Sequence, residues 1–314
     1  MNPKISIIIP VFNKARTLER CLKSVLDQTA QDYEVIAVND GSGDNSLEIL
    51  KGYESDQVHI YSQENRGVSA ARNIGISAAS GDYLIFADAD DELAGDAVAV
   101  FSSIIDSSHP DVIFGNAILC IDSRKNQKPG SIPEKKTLSG WGLLESCLKD
   151  EGITHHVWAN CYRKKFLSDT VFDESMSTHE DEYFNVCCGM KKPECIVLPD
   201  IVYFYYKNMD GISRSEVSPR KIQDMLGGAE KVRNLVALNC PEYHALAENY
   251  AVKSNMAVLA ICPDSATVRS CIRDVQQNRS FFISDSRMDR ILFFLIIHHL
   301  YWVYQMAFSL KFRR

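Results

Sequence analysis

Tyr83-Leu84-Ile85-Phe86-Ala87-Asp88-Ala89-Asp90-Asp91-Glu92 sets an uncharged apolar run directly against a group of acids. Such a run, with no polar alternation, reads as a short strand buried on both faces. Upstream, Ile5-Ser6-Ile7-Ile8-Ile9-Pro10-Val11 likewise reads as a buried, uncharged strand, and Glu34-Val35-Ile36-Ala37-Val38-Asn39 and Val58-His59-Ile60-Tyr61 read as two further strands. Between them Leu18, Cys21, Leu22, Val25 and Leu26 recur at helical spacing, Ser46 to Tyr53 supplies a second helix, and Ser69 to Ser80 a third. Strand–helix alternation of this kind implies an α/β fold with a mainly parallel sheet flanked by helices. Ligands of such sheets bind beyond the carboxyl ends of the strands, so the chemistry is expected just after each apolar run.

The rest of the chain narrows the class. A hydrophobic fraction of 46% and a charged fraction of 24% exclude a disordered or fibrous protein. A net charge of -7 argues against nucleic acid as a partner, since that needs a basic face to neutralise phosphates. The ten cysteines are scattered without a C-x-x-C pair and are expected as free thiols of a reducing cytosol. Ile5 to Phe12 is too short, and too soon interrupted by Pro10, to read as a signal peptide. Residues 116–215 are less regular, with loop chemistry at Lys125 to Pro133 and further strands near Ile196 to Tyr206. Beyond 216 the pattern is helical, as in Lys221 to Leu238 and Glu242 to Ile261.

The polar residues after each strand have two readings apiece. Asp40, in Asn39-Asp40-Gly41-Ser42-Gly43-Asp44-Asn45-Ser46, is suited to accept hydrogen bonds from a base or ribose; the plainer reading is a turn, with Asp44 or Asn45 capping the next helix. Gln63 to Gly75 is a glycine-containing loop running into a helix. It presents backbone N–H groups to an anion, with Arg66 and Arg72 able to add charge-assisted bonds to phosphate. Asp88, Asp90 and Asp91 repel one another unless a cation is present, and oxygen-only ligands point to Mg2+ or Mn2+. The alternative is an acidic helix start, which accounts for Asp91 and Glu92 but poorly for Asp88. In Thr178-His179-Glu180-Asp181-Glu182 a carboxylate is placed to act as a general base, although acids also commonly begin a helix. His155, His156 and His179 have no metal-ligand spacing.

In series, Ile7-Ile8-Ile9-Pro10-Val11-Phe12-Asn13, Val38-Asn39-Asp40-Gly41-Ser42, Asn65 to Asn73, Asp88-Ala89-Asp90-Asp91 and His179-Glu180-Asp181 resemble the family-2 glycosyltransferases of the GT-A fold. The resemblance runs from residue 5 to about 206. It implies a catalytic domain over 1–215, with a nucleotide-sugar-binding half at 1–115 and an acceptor half at 116–215. It also implies that Pro10, Val11, Asn13 and Asp40 line the nucleotide pocket, and that Arg72 lies by the diphosphate or sugar. Asp88 would face the ribose and sugar, Asp90 would be the main metal ligand, and Asp181 the catalytic base, with Glu180 as the lesser choice. Trp158, in Val157-Trp158-Ala159-Asn160, resembles the acceptor-side segment that precedes this base. The expected reaction is inverting transfer of one sugar from a UDP-sugar to a hydroxyl. Processive relatives carry Gln-x-x-Arg-Trp, whereas here Gln276-Gln277-Asn278-Arg279 is followed by Ser280.

A helical extension is expected over 216–284 and a hydrophobic, basic helix over 285–314. Ile291 to Leu310 holds no formally charged side chain, while Arg287 and Arg290 flank one end and Lys311, Arg313 and Arg314 the other. Arg287, His298, Gln305 and Ser309 fall on one narrow stripe, which suits a helix lying in the interface of an anionic membrane rather than spanning it, although the run is long enough to span, with packing against the protein or a dimer partner as the alternative. The acceptor is then expected to be a lipid-linked saccharide of bacterial surface polysaccharide, O-antigen or capsule, at the cytoplasmic face of the membrane. The competing classes are a nucleotidyltransferase and an inactive sugar- or nucleotide-binding protein. Against the first, Val11-Phe12-Asn13-Lys14-Ala15 lacks the glycines of a nucleotidyltransferase loop.

Overall fold

In the computed structural model, which describes residues 3–120, 132–149, 155–206, 218–298, 300, 301 and 303, the run Ile5–Val11 forms strand β1. It is followed by α1 (Leu18–Leu26), β2 (Tyr33–Asp40), α2 (Ser46–Lys51), β3 (Val58–Gln63), α3 (Val68–Ala78) and β4 (Tyr83–Phe86). Then come β5 (Glu92–Leu93), α4 (Ala97–Ser108), β6 (Val112–Cys120), β7 (Lys136–Leu138), α5 (Gly142–Lys149), β8 (Asn160–Arg163), α6 (Glu180–Gly189) and β9 (Cys195–Tyr206). Helices α7 (Pro219–Asn239), α8 (His244–Ile261), α9 (Ser265–Gln277) and α10 (Arg287–Ile297) complete the described elements. The chain divides into two compact units, one formed by Met1–Leu144 and Gly152–Arg214, the other by Glu145–Glu151 and Ser215–Arg314.

The first unit is built on one sheet, with strand order β3-β2-β1-β4-β8-β6-β9-β5 and β7 paired to β9. It is parallel through β3-β2-β1-β4 and again between β6 and β9. Beyond β4 it is mixed, because β8 runs antiparallel to both β4 and β6, and β5 and β7 run antiparallel to β9. The reversal of β8 brings the start of that strand, rather than its end, to the carboxyl end of β4, where Trp158 bridges Phe86.

Both faces of the sheet are covered. Ile5, Ile7, Ile9 and Val11 point into a core shared with Leu18, Cys21, Leu22 and Val25 of α1 and Ala97, Val98, Phe101 and Ile105 of α4. On the opposite face α3 lies so close to β1 that a Cβ at Gly75 would meet Ile8 Cγ2 at 2.3 Å. Side-chain alternation along β1 thus feeds two apolar layers, which is why its sequence shows no polar face.

The second unit is a helical assembly. Ser218, Asp264 and Ser286 cap α7, α9 and α10 by accepting from the backbone N–H of Lys221, Thr267 and Asp289. Arg233 of α7 ties the helices together, reaching Asp274 of α9 at 3.0 and 2.9 Å and Glu248 of α8 at 3.0 Å. Leu292, Leu295 and Ile296 of α10 pack into the core of this unit with Val258, Leu259, Cys271 and Val275. One face of the C-terminal helix is therefore a packing face. On the other, Ile291 and Phe294 are 44% and 52% exposed, beside exposed Arg287, Arg290 and His298. Among the described residues no helix is long and apolar enough to cross a membrane. Residues 125–131 of the expected loop, and Gln305, Ser309, Lys311, Arg313 and Arg314 of the expected tail, lie outside the described residues.

Candidate active site

The loops that follow β1, β2 and β3 are cross-linked into one cradle. Asn13, in the left-handed region at φ 53°, donates its N–H to Ser42 Oγ at 3.1 Å and accepts from Gly43 N at 2.8 Å through Oδ1. Lys14 N donates to Ser46 Oγ at 2.8 Å and Ala15 N to Asp44 Oδ2 at 3.0 Å. Asp44 thus links two loops and also accepts from Ser46 N, while Asn45, the residue before α2, makes no side-chain cap.

Asp40 is buried, and its carboxylate holds the third loop. Oδ1 accepts from Gln63 Nε2 at 2.7 Å and Arg66 N at 2.8 Å, and Oδ2 from Gly67 N at 2.9 Å. Gly41 permits this approach, since a Cβ there would meet Asn65 N at 2.7 Å. Arg66 turns its guanidinium outward to Glu174, at 2.6 Å. Pro10 is half-buried at the same edge, whereas the Val11 side chain lies wholly in the core. What Val11 can offer a ligand is its main chain.

The acidic segment after β4 is held from two sides. From α1 and its approach, Thr17 Oγ1 donates to the Ala89 carbonyl at 3.0 Å, Cys21 Sγ to the Asp88 carbonyl at 3.5 Å, and Arg20 to the Asp90 carbonyl. Arg20 also pairs with Glu92 at 3.2 Å and lies over the Tyr206 ring at 3.8 Å. From β9, the Tyr203 hydroxyl accepts from Asp88 N and donates to Asp91 Oδ2, both at 3.0 Å, and Tyr206 N donates to Asp91 Oδ1 at 2.7 Å.

Asp91 is therefore a buried anchor for the loop. Its burial, with the like charges of Asp88 and Asp90, pushes its carboxyl well above the ordinary range. The alternative reading of Asp91 and Glu92 as an acidic helix start does not hold: Glu92 opens β5, and α4 begins only at Ala97. Asp88 and Asp90 project from the pinned segment. Asp90 Oδ2 meets Lys14 Nζ at 2.5 Å. No cluster of three or more metal-ligating side chains occurs among the described residues.

Arg72 joins the two halves of the site. Its side chain is 3% exposed and lies over the Phe172 ring. NH2 reaches Asp88 Oδ1 at 3.2 Å, and NH1 reaches Glu180 Oε1 at 2.8 Å and Asp181 Oδ1 at 2.6 Å. The guanidinium expected beside a diphosphate is thus engaged by three carboxylates. Glu180 and Asp181 sit in the first turn of α6, after His179 in a left-handed conformation. The helix start and the candidate base are the same feature, and Arg72 distinguishes this turn from an ordinary acidic one.

Burial raises the Asp181 carboxyl well above the ordinary range, partly offset by Arg72, and Asp88 is raised for the same reason. One guanidinium cannot fully compensate several buried carboxylates. A raised Asp181 is a better proton acceptor than a free carboxylate.

The segment before β8 closes the site. Val157 N donates to Asp181 Oδ2 at 3.3 Å, tying this segment to the candidate base. Trp158 is stacked on His156 at 3.5 Å and on Tyr203 and Tyr205 at 4.9 and 5.2 Å. His156 donates through Nδ1 to the Trp158 carbonyl at 3.0 Å, and burial pushes its pKa down to about 4, so it is a neutral packing group.

The sequence reading missed Thr17, Arg20, Cys21, Tyr203, Tyr206 and the side chain of Lys14. Thr17, Arg20 and Cys21 follow the i, i+3, i+4 spacing of one helix face. That spacing marks a shared face but not the carbonyls it meets.

The family model "Glycosyl transferase family 2" matches residues 6–172. The chain is 29% identical over 226 residues to the uncharacterized glycosyltransferase EpsJ of Bacillus subtilis, a match covering 70% of this chain and 65% of that one. It is 28% identical over 226 residues to the poly(ribitol-phosphate) beta-glucosyltransferase of Bacillus spizizenii, covering 66% and 33%. The chain spans less than two thirds of the length of the curated relatives it matches first. In fold it is similar to residues 1–349 of S. aureus TarS, solved with UDP-GlcNAc, with a TM-score of 0.71 and 20% identity over 98% of this chain and 90% of that one. The sheet with its flanking helices is accordingly the GT-A fold.

Replacing Arg72 by Met leaves three carboxylates without their cation, and should destabilise the folded chain at pH 7 by about 3 kcal/mol or more. Loss of the guanidinium raises Asp88 and Asp181 further. Between the unfolded and folded pKa values the native variant then holds protons that the unfolded chain has lost. The deficit relative to wild type is therefore expected to shrink as pH falls through the folded values, as measured by urea unfolding from pH 8 to pH 5. A deficit that stays constant or widens toward acid contradicts the shared-cation arrangement.

Proposed function

Because the chain belongs to glycosyl transferase family 2, we propose that it moves a single sugar from a nucleotide diphosphate, a UDP-sugar, to a hydroxyl of a saccharide acceptor with inversion. The observation that carries this reading is Arg72, whose guanidinium ties Asp88 on the donor side to Asp181 on the acceptor side. A displacement needs a leaving group and an incoming hydroxyl on opposite sides of one carbon. A rigid link between the groups serving each supplies that registration.

In this account the cradle of Asn13, Asp40 and the main chain at Pro10 and Val11 receives the nucleoside, and Asp88 orients the ribose and sugar. Asp181 accepts the proton of the acceptor hydroxyl as its oxygen attacks the anomeric carbon, while the bond to the diphosphate breaks. A single displacement inverts that carbon, so an α-linked donor gives a β-glycoside. Trp158 borders the acceptor, and Glu180 helps to position Arg72.

The donor set fits a hard divalent cation. Asp88 Oδ2 and Asp90 Oδ1 take no hydrogen bond among the described residues. Mg2+ and Mn2+ bind through one or two carboxylates and complete their shell with water and phosphate oxygens. Asp90, with Asp88 beside it, would hold the ion, which when bound supplies positive charge against the leaving diphosphate.

The acceptor in this reading is lipid-linked and belongs to a bacterial surface polysaccharide, made at the inner face of the cell membrane. Support comes from the exposed Ile291 and Phe294 beside Arg287 and Arg290 on α10, the pairing of apolar and basic groups that suits an anionic lipid surface. A bacterial relative named for a poly(ribitol-phosphate) acceptor supports a surface polymer as the acceptor class.

Incubation with a panel of nucleotide-sugars and Mn2+ should release nucleoside diphosphate from one UDP-sugar, and EDTA should abolish the release. Pyrophosphate as product would indicate nucleotidyl transfer, and turnover of no donor would contradict the assignment. On vesicles containing anionic lipid the wild-type chain should co-sediment, less so in high salt, and the double variant Ile291→Asp, Phe294→Asp should remain largely in solution. Wild type that ignores such vesicles would remove the membrane from the account.

A further inference from the structure

Three described cations touch the acidic segment after β4, and their surroundings differ. Arg72 carries Asp88, Glu180 and Asp181. Arg20 is spent on the Asp90 carbonyl, Glu92 and the Tyr206 ring. Lys14 makes one side-chain contact among the described residues, the 2.5 Å pair with Asp90 Oδ2, and the two side chains are 27% and 18% exposed.

The backbones on both sides of that pair are fixed. Lys14 N is held by Ser46 Oγ, and its carbonyl accepts from Thr17 N at 3.0 Å and Leu18 N at 2.9 Å. Asp90 is held through its carbonyl by Arg20. What can move is the flexible stem of the lysine, which ends in a compact point charge.

We propose that Lys14 is an exchangeable counter-ion: without donor it neutralises Asp90, and it gives up that carboxylate to a divalent cation when a nucleotide diphosphate arrives to receive the ammonium. This rests on the donor-site reading given above. An ammonium and a divalent cation on one carboxylate repel each other, so each weakens the other's hold on Asp90. A diphosphate beside Asp90 removes that conflict by accepting the lysine as a charge-assisted donor. Cation and donor then bind with positive cooperativity, and by linkage each tightens the other equally. Lys14 ends on the diphosphate, where it opposes the charge that grows as the glycosyl bond breaks. Asp90 is never left as an uncompensated, partly buried charge between turnovers.

The test is a Mn2+ titration followed by electron paramagnetic resonance, on wild type and Lys14→Met, without nucleotide and with UDP. The nucleotide-free variant should bind Mn2+ about tenfold more tightly than wild type, and UDP should enhance Mn2+ binding less in the variant. In EDTA the variant should melt at a lower temperature than wild type, and Mn2+ should raise its Tm by more. If wild type takes up Mn2+ with UDP but the nucleotide-free variant binds it no more tightly than wild type, the counter-ion role is overturned and the cation site stands. If neither protein binds Mn2+ under any condition, the cation site is overturned and the role of Lys14 with it.

Discussion

The arrangement depends on one buried guanidinium. Arg72 projects from α3, which is packed against β1 by way of Gly75, so its position is set by the parallel half of the sheet. Its partners come from elsewhere: Asp88 from the end of β4, and Glu180 and Asp181 from the start of α6. Removing one partner from such a group leaves uncompensated charge in a low-dielectric setting, so the members hold one another in register. The same burial raises Asp181, giving the candidate base a higher proton affinity than a surface carboxylate. Structural cohesion and proton affinity follow from the same desolvation.

Around this centre the backbone is fixed and selected side chains are left to work. The carbonyls of Asp88, Ala89 and Asp90 are each engaged from α1 or its approach, and Asp91 is buried against β9. The segment cannot shift without breaking several of these bonds, yet Asp88 and Asp90 each keep an oxygen free of hydrogen bonds among the described residues. Left-handed residues gather at the same edge, among them Asn13, Gly41, Gly67, Ala159 and His179. Non-glycine residues in that region cost free energy, and such strain commonly collects where side chains must be aimed.

Much of this was legible in the sequence. The apolar runs at Ile5, Glu34 and Tyr83 become β1, β2 and β4, because a strand covered on both faces needs nearly unbroken hydrophobicity, while the Val58 run becomes the edge strand β3, in which Val58 alone is buried. The acids after those runs lie at one edge because parallel strands end together. Partners brought together across long stretches of chain were not legible. Nothing near Arg72 in sequence announces Glu180 and Asp181, and Asp91 resembles its acidic neighbours until Tyr203 and Tyr206 arrive from β9. Asp40 reads equally well as a nucleoside contact or a turn residue, and in the structure its carboxylate organises the Gln63–Gly67 loop. The reversal of β8 was equally hidden, since strand direction follows from connections and not from residue pattern. In the tail, the apolar run gives its buried face to the helical unit and leaves Ile291 and Phe294 outside, a division that hydrophobicity alone does not make.

In the proposed reaction Asp181 takes the acceptor proton. Measuring donor affinity and sugar transfer together for Asp181→Asn tests it most directly. The account predicts transfer reduced about 100- to 10,000-fold, with donor affinity within a few-fold of wild type. Transfer at the wild-type rate by a variant that still binds donor would contradict it.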